Sequence, residues 1–365
     1  MASSPARDSV TGPVPRTLLD SLPPVFAGNA FEDVRRLVGA SAVKTVVLDD
    51  DPTGTQTVHG IDILADWSVP SLRAALEDPR PCFYVLTNSR SLPGPKAAAL
   101  VGEIAGNLSL AARASGTDFV VVSRSDSTLR GHFAAELEAL RTNLGYAVSG
   151  TIVIPAFFEG GRYTVDDVHY VAEGDKLVPA AETEFARDRT FGYSHSNMTE
   201  WIEEKTGRSV RASEVISIDI GTLRHAEGAK RVRRSLLEAP PGAHLVVNAA
   251  AYSDLEVFVH GLLQAEAMGK RFLLRTAASF VRVRAGIEAR PLLAASDVLG
   301  EGAPGGLVIV GSYTGRTTAQ LKSLLALSGT VGIEVAVDRL ATPNSRAVEI
   351  ARVTAAAREA MRAGH

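Results

Sequence analysis

Three consecutive aspartates, Asp49, Asp50 and Asp51, end a β-branched apolar run from Val43 to Leu48 and lead into a Thr/Gly-rich turn through Thr57. Like charges in a row repel unless something binds them. Carboxylates set beside Thr53 and Gly54 are groups suited to orienting hydroxyls or a cation. Later apolar runs end the same way. Cys82 to Leu86 gives Thr87, Asn88, Ser89 and Arg90; Phe119 to Val122 gives Ser123 through Gly131, including Asp126, Ser127 and Arg130; Thr151 to Ile154 gives Pro155, then Glu159, Gly160, Gly161 and Arg162. Arginine forks onto a carboxylate with two parallel hydrogen bonds, while Asp, Ser and Thr exchange hydrogen bonds with hydroxyls. Brought together, these groups suit a small polyhydroxylated anion. For one arginine alone, such as Arg124, a surface ion pair is the alternative.

The elements that must position them alternate. Helical patterns at Pro95–Ser115 and Gly131–Leu144 separate the runs just named. A second series follows: strand Val215–Ile218, helix Leu223–Leu237, strand Leu245–Val247, helix Asp254–Met268 and strand Phe272–Leu274, which ends at Arg275 and Thr276. Strands apolar on both faces and separated by helices predict an α/β protein of mostly parallel sheets covered by helices. Ligands of such sheets bind beyond the carboxyl ends of the strands, where the polar clusters lie. Residues 1–42 read as an N-terminal extension, with an amphipathic stretch from Phe31 to Val38 packing on the domain edge. Residues 43–290 read as a substrate-binding domain and 291–365 as a smaller, partial nucleotide-binding domain. Tyr163 to Gly207 reads as a loop-rich lid, with Arg187, Asp188 and His195 as candidates. Asp166, Asp167 and His169 fit a satisfied turn better than a metal site, and Asn197 is an N-cap for a helix over Thr199–Thr206.

Length and composition bound the class. The chain has 365 residues, 45% hydrophobic and 22% charged, with mean hydropathy +0.09, so it can bury a sizeable core across two domains. A formal charge of −3 and a pI near 6.3 point away from nucleic acid or an anionic membrane as partner. No apolar run approaches the ~18 residues of a membrane span. The single Cys82 reads as a core residue and suits a reducing compartment, and the N-terminus reads as a loose tail without an apolar leader, so the cytoplasm is expected. The oligomeric state is left open, a homo-oligomer included.

Near the C-terminus a strand over Leu307–Val310 enters Gly311, Ser312, Thr314 and Thr317 ahead of a helix over Thr318–Leu327, a cradle of amides and hydroxyls for phosphate. A strand over Ile333–Val337 and a helix over Ser345–Gly364 complete this part. Gly300, Gly302 and Gly305 have dinucleotide-fingerprint spacing but precede a strand, which rejects that reading, and no P-loop pattern is present.

The segments LDDDPTGTQTVHG, LTNSR, SRSDSTLRGHF, PAFFEGGRYTVDDVHYV, FARDRTFGYSHSN, RTAASF and GSYTGRTTAQL, in this order, resemble the four-carbon acid sugar kinase family from about Leu19 to Leu340. The resemblance implies an ATP- and Mg²⁺-dependent kinase acting on a hydroxyl of threonate, erythronate or a 2-oxo-tetronate. The family's D-D-x-T-G falls on Asp50 to Gly54, its D-S-T-L-R-G on Asp126 to Gly131, and its G-S-x-[ST] nucleotide motif on Gly311, Ser312, Tyr313 and Thr314. It implies that Asp51 or Asp126 orients the attacking hydroxyl and takes its proton. Asp50 aids the metal or a neighbouring hydroxyl, and Arg130 and Arg162 hold the substrate carboxylate or the transferring phosphoryl group. Thr53, Gly54, Arg90 and Ser127 complete the substrate site. No ligand set for the metal is assigned. A second Gly-rich segment of the family is absent before His365, which implies an incomplete nucleotide domain or a diverged mode of ATP binding. Two other classes fit less of the chain. Asp49, Asp51 and Thr53 match the D-x-D-x-T of haloacid-dehalogenase-like phosphatases, with Thr87-Asn88 echoing the next motif, and loss of nucleotide binding would leave a non-catalytic acid-sugar-binding module.

Overall fold

The strands are built from residues whose alternate side chains enter two different cores. Val46, Leu48, Val121, Val153 and Leu273 pack with Leu72, Ile104, Leu108, Leu137 and Trp201 on one side, while Val47, Tyr84, Val122, Ile152 and Leu274 pack with Val34, Val232, Phe258 and Phe280 on the other. A sheet apolar on both faces must be covered on both faces, since each such side chain is worth about 1.5–3 kcal/mol when buried. The computed structural model describes residues 12–298, 306–312 and 314–364. The chain forms two units that divide between Arg290 and Pro291.

The first unit carries β1 (Val14–Pro15), β2 (Lys44–Asp49), β3 (Ile63–Leu64), β4 (Cys82–Leu86), β5 (Phe119–Arg124), β6 (Gly150–Ile154), β7 (Arg162–Val165), β8 (Val168–Glu173), β9 (Lys176–Pro179), β10 (Ile216–Ile218), β11 (Ala243–Val247) and β12 (Phe272–Thr276). Eight strands, in the order β10-β11-β6-β12-β5-β2-β4-β3, make one parallel sheet. The covering helices are α1 (Ala30–Ala40), α2 (Val69–Glu77), α3 (Gly94–Ser115), α4 (Phe133–Asn143), α5 (Met198–Lys205), α6 (Ile220–Arg224), α7 (Gly228–Glu238), α8 (Tyr252–Ala267) and α9 (Ala278–Arg284). From β2 the chain winds outward to β3 and β4, then crosses back to β5 on the other side. The switch point therefore lies between β2 and β5, the place where the carboxyl-end loops of such sheets diverge and form the ligand crevice. No helix among the described residues is long and apolar enough to cross a membrane.

The expected lid is different. Arg162 to Pro179 forms β7, β8 and β9, which pair antiparallel in the order β1-β9-β8-β7. Its turns carry their own signals. Asp166 and Asp167, both at positive φ, make a two-residue hairpin loop, and Gly174-Asp175 makes the next, with Gly174 at φ +62. Tyr163, Val165, Val168 and Tyr170 form a third core with Leu18, Leu19 and Leu22, so the described part of the N-terminal segment is held by β1 and by these contacts. The helix expected over Leu223–Leu237 is interrupted after Arg224 and resumes at Gly228. Asn197 caps α5 as expected, accepting from the Thr199 N–H at 3.0 Å.

The second unit contains α10 (Ala295–Val298), α11 (Gly315–Leu325) and α12 (Pro343–Arg362). The strands expected over Leu307–Val310 and Ile333–Val337 are not formed. Leu307, Val308 and Ile309 are exposed, and no neighbour among the described residues supplies the hydrogen-bond ladder that turns a β-prone run into a strand. Gly300, Gly302, Gly305 and Tyr313 lie outside the described residues.

Asn248, buried after β11, joins the small sheet to the large one. It accepts the Asp167 N–H at 2.7 Å and donates to Asp167 Oδ1 at 2.7 Å and to the Ile218 carbonyl at 3.2 Å. Asn248→Ala takes the acceptor from the Asp167 N–H and one donor each from Asp167 Oδ1, which keeps Ser217 Oγ, and from the Ile218 carbonyl, which keeps the residue-248 N–H, and is expected to cost about 1–3 kcal/mol. A urea unfolding midpoint identical to that of the parent protein would refute this linkage.

Candidate functional site

At the carboxyl end of β2, Asp49 is buried with its Oδ1 3.1 Å from Arg124 Nη1, and Arg124 Nη2 donates to Gln56 Oε1 at 3.1 Å. The turn passes directly over this carboxylate, and a Cβ on Gly54 would overlap it, which is why the position is glycine. Burial pushes the Asp49 carboxyl up to about 7. The Arg124 charge offsets part of this, and Asp50 and Asp51 add to it.

Asp50 and Asp51 share Arg90. Arg90 Nη2 and Nε donate to Asp50 at 2.6 and 3.3 Å, and Nη1 donates to Asp51 Oδ2 at 3.0 Å. Ser125 Oγ donates to Asp50 Oδ2 at 2.6 Å. Asp51 also accepts from the Thr53 N–H at 2.8 Å and from the Thr53 hydroxyl. Burial raises the Asp51 carboxyl, but the Thr53 bonds and the Arg90 charge outweigh it and hold it below its ordinary value. Arg90 is placed by backbone pairing, since Thr87 N donates to the Asp49 carbonyl at 2.9 Å and Arg90 N to the Asp50 carbonyl at 3.2 Å.

The loop after β5 completes the crevice. Arg130 Nε donates to Asp126 Oδ2 at 2.6 Å, and the Thr128 hydroxyl donates to the same oxygen. Burial raises the Asp126 carboxyl, yet Arg90, Arg130 and Thr128 together bring it down to about 2. Leu129 and Gly131 lie at φ +68 and +125. A side chain on Gly131 would crowd Arg275 Nη2, Ser125 Oγ and Asp50 Oδ2 at 2.8, 2.8 and 3.0 Å. Ser127 is buried, and its carbonyl accepts from His169 Nε2 at 2.7 Å. A cavity of about 20 Å³, enough for a water, is lined by Ser125, Asp126, Arg130, Trp201 and Arg275 among others.

Behind this loop the buried Glu136 accepts from Ser89 Oγ at 2.6 Å and from Arg275 Nη1 at 2.6 Å, and Arg275 also donates to Ser123 Oγ at 2.8 Å. Glu136 was not a candidate from the sequence. Its signal was an acid on the inward face of a helix that follows a strand end carrying polar residues. Phe185 was also missed. The Arg130 and Arg162 guanidinium carbons lie 5.0 and 5.9 Å from its ring centroid, so one aromatic side chain gathers two cations from separate loops. The other candidates have structural partners. Asp188 Oδ1 accepts the Thr190 and Phe191 N–H groups at 2.8 and 3.0 Å, His195 Nδ1 lies 2.7 Å from Glu204 Oε2, and Arg187 is exposed.

In the second unit, Thr314 caps α11 by accepting the Thr317 N–H at 3.4 Å. The Ser312, Thr314 and Thr317 hydroxyls lie within 2.9–3.4 Å of one another, Gly311 precedes them, and the first turn of α11 has no acid. Among the described residues no group of three or more His, Cys, Asp or Glu side chains is placed to hold a metal.

The parallel α/β sheet thus carries arginines, aspartates and hydroxyls around its switch point, where ligands of such sheets bind. The model of the Sugar-binding N-terminal domain matches residues 45–284, and the chain belongs to the four-carbon acid sugar kinase family. It is similar to the D-threonate kinase of Bordetella bronchiseptica, 36% identical over 151 residues that make up 39% of this chain and 35% of that protein. It is 26% identical to the D-erythronate kinase of Heliobacterium modesticaldum over 321 residues, 85% of this chain and 66% of that one. The chain thus spans a third of one of these relatives and just under two thirds of the other. A crystal structure from Salmonella typhimurium LT2 shares the fold at TM-score 0.51 and 17% identity, covering 83% of this chain and 68% of that one.

Asp126 ties the site to stability. Its folded value of about 2 lies below the ordinary 3.8, so its contribution is full above pH 4 and is lost as pH falls through 2. The shift corresponds to about 2 kcal/mol. Asp126→Asn is expected to be less stable than the parent by about that amount at pH 7, with the two denaturation curves converging near pH 2. Curves that stay parallel over this range would contradict the pairing.

Proposed function

We propose that the protein is an ATP-dependent kinase for a hydroxyl of a four-carbon acid sugar: threonate, erythronate or a 2-oxo-tetronate. The observation that carries the reading is the convergence of Arg130 and Arg162 on Phe185 beside the Asp126 carboxylate, at the carboxyl edge of the sheet. Two guanidinium groups next to a fixed carboxylate match a substrate that carries an acid at one end and hydroxyls along its length.

In this reading Arg130 and Arg162 hold the sugar carboxylate or the transferring phosphoryl group. Asp126 Oδ2 is taken by Thr128 and Arg130, which leaves Oδ1 to orient the attacking hydroxyl and receive its proton. A carboxylate with so low a pKa serves here because phosphoryl transfer asks mainly for positioning, the proton leaving late. Asp51, the more exposed carboxylate, held by Thr53 and Arg90 with Asp50 and Gly54 beside it, offers the alternative base. ATP supplies the phosphoryl group, and Gly311, Ser312 and Thr314 at the N-terminus of α11 would hold its phosphates. With no acidic cage among the described residues, a Mg²⁺ ion would be held chiefly by the nucleotide's phosphates. A phosphatase reading with Asp49 as nucleophile fits poorly, because the Gly54 backbone covers that carboxylate and Arg124 holds it.

The test is phosphorus NMR of the chain with ATP, Mg²⁺ and a panel of threonate, erythronate and 2-oxo-tetronate isomers. A new phosphomonoester together with ADP is expected, and Arg130→Ala should lower its rate on the order of 100-fold or more. Free phosphate without a sugar phosphate would favour a hydrolase, and no reaction at all would reduce the domain to a binding module.

A further inference from the structure

His169 is buried on β8, outside the crevice, yet both ring nitrogens are engaged. Nε2 lies 2.7 Å from the Ser127 carbonyl and Nδ1 lies 3.0 Å from Thr164 Oγ1. A carbonyl only accepts, so Nε2 carries the proton and Nδ1 accepts from the threonine hydroxyl. Burial keeps the ring neutral, lowering its pKa to about 4. The backbone of His169 is itself anchored, its N–H donating to the Ser196 carbonyl at 2.8 Å. The recipient is the segment from Asp126 to Gly131, which includes Leu129 and Gly131 at positive φ and would relax if its carbonyls were released. Tyr193 adds a second tie, its hydroxyl donating to the Thr128 carbonyl at 2.9 Å.

We propose that His169 is a positioning residue: by donating from Nε2 to the Ser127 carbonyl it fixes the loop that presents Asp126 and Arg130 to the acid sugar. The effect on substrate rests on the kinase reading; the effect on the loop does not. The loop has bonds of its own, from Thr128 and Arg130 to Asp126 and from Ser125 Oγ to the Arg130 carbonyl at 3.1 Å, and the small antiparallel sheet adds a support from outside it.

The experiment compares the parent protein with His169→Asn and His169→Gln. The asparagine amide is too short to reach Ser127, whereas the glutamine amide nitrogen takes nearly the place of Nε2. Hydrogen–deuterium exchange of the peptide spanning residues 125–132 is expected to be roughly tenfold faster in His169→Asn, the loss of one neutral hydrogen bond, and to return toward the parent rate in His169→Gln. The KM for the acid sugar should rise by a similar factor in His169→Asn alone, with the KM for ATP unchanged. Equal exchange in all three proteins, or equal acceleration in both variants, would overturn the proposal, the latter by assigning His169 to packing only. If the parent turns over no acid sugar, the kinase reading fails and loop exchange alone decides the role of His169. Should His169→Asn not fold, Tyr193→Phe is measured in its place, and unchanged exchange of residues 125–132 would then count against support of the loop from outside.

Discussion

The site depends on pairing three adjacent aspartates with arginines that come from other strands. Asp49 meets Arg124, and Asp50 and Asp51 meet Arg90. Each charge taken out of water costs several kcal/mol unless a partner and further hydrogen bonds replace the solvent. The cluster therefore holds only in one arrangement of the loops after β2, β4 and β5. Arg90 must stand on the backbone of Asp49 and Asp50, Gly54 must let the turn lie on Asp49, and Gly131 must leave room for Asp50, Ser125 and Arg275. The same pairing fixes the positions of these side chains at the edge of the sheet.

The sheet converts this local chemistry into a site. Parallel strands bring all their carboxyl ends to one edge, and the reversal of winding between β2 and β5 opens a crevice where the paired residues stand. Behind the crevice, Glu136 on α4 neutralises Arg275, so the buried arginine at the end of β12 does not remain unpaired. In front, Phe185 gathers Arg130 and Arg162.

The small antiparallel sheet is the part of the molecule whose role is least evident from its size. It receives the N-terminal strand β1 and the third hydrophobic core, and it sends His169 toward the loop that bears Asp126 and Arg130. A rigid strand is a better platform for such a contact than a loop, because the geometry of the donor is fixed by its ladder. A mobile lid in this position would have left the loop dependent on its own strained backbone.

By itself the sequence determined the parallel α/β class, most strand and helix positions in the first unit, the polar strand ends, the family motifs and the capping role of Asn197. These follow from periodicity and short-range spacing, which are local properties. Only the tertiary structure decided that Arg124 is a buried partner of Asp49 and not a surface ion pair, and that Glu136 meets Arg275, Phe185 meets Arg130 and His169 meets the Ser127 carbonyl. It also decided that Arg162–Pro179 is a sheet, although its two-residue turns were visible in Asp166-Asp167 and Gly174-Asp175, and that Leu307–Val310 and Ile333–Val337 stay outside any strand. The physical reason is common to all of these. A partner dozens of residues away, or the lack of a neighbouring ladder, leaves no trace in local pattern, and burial and pairing exist only once the chain has brought distant segments together.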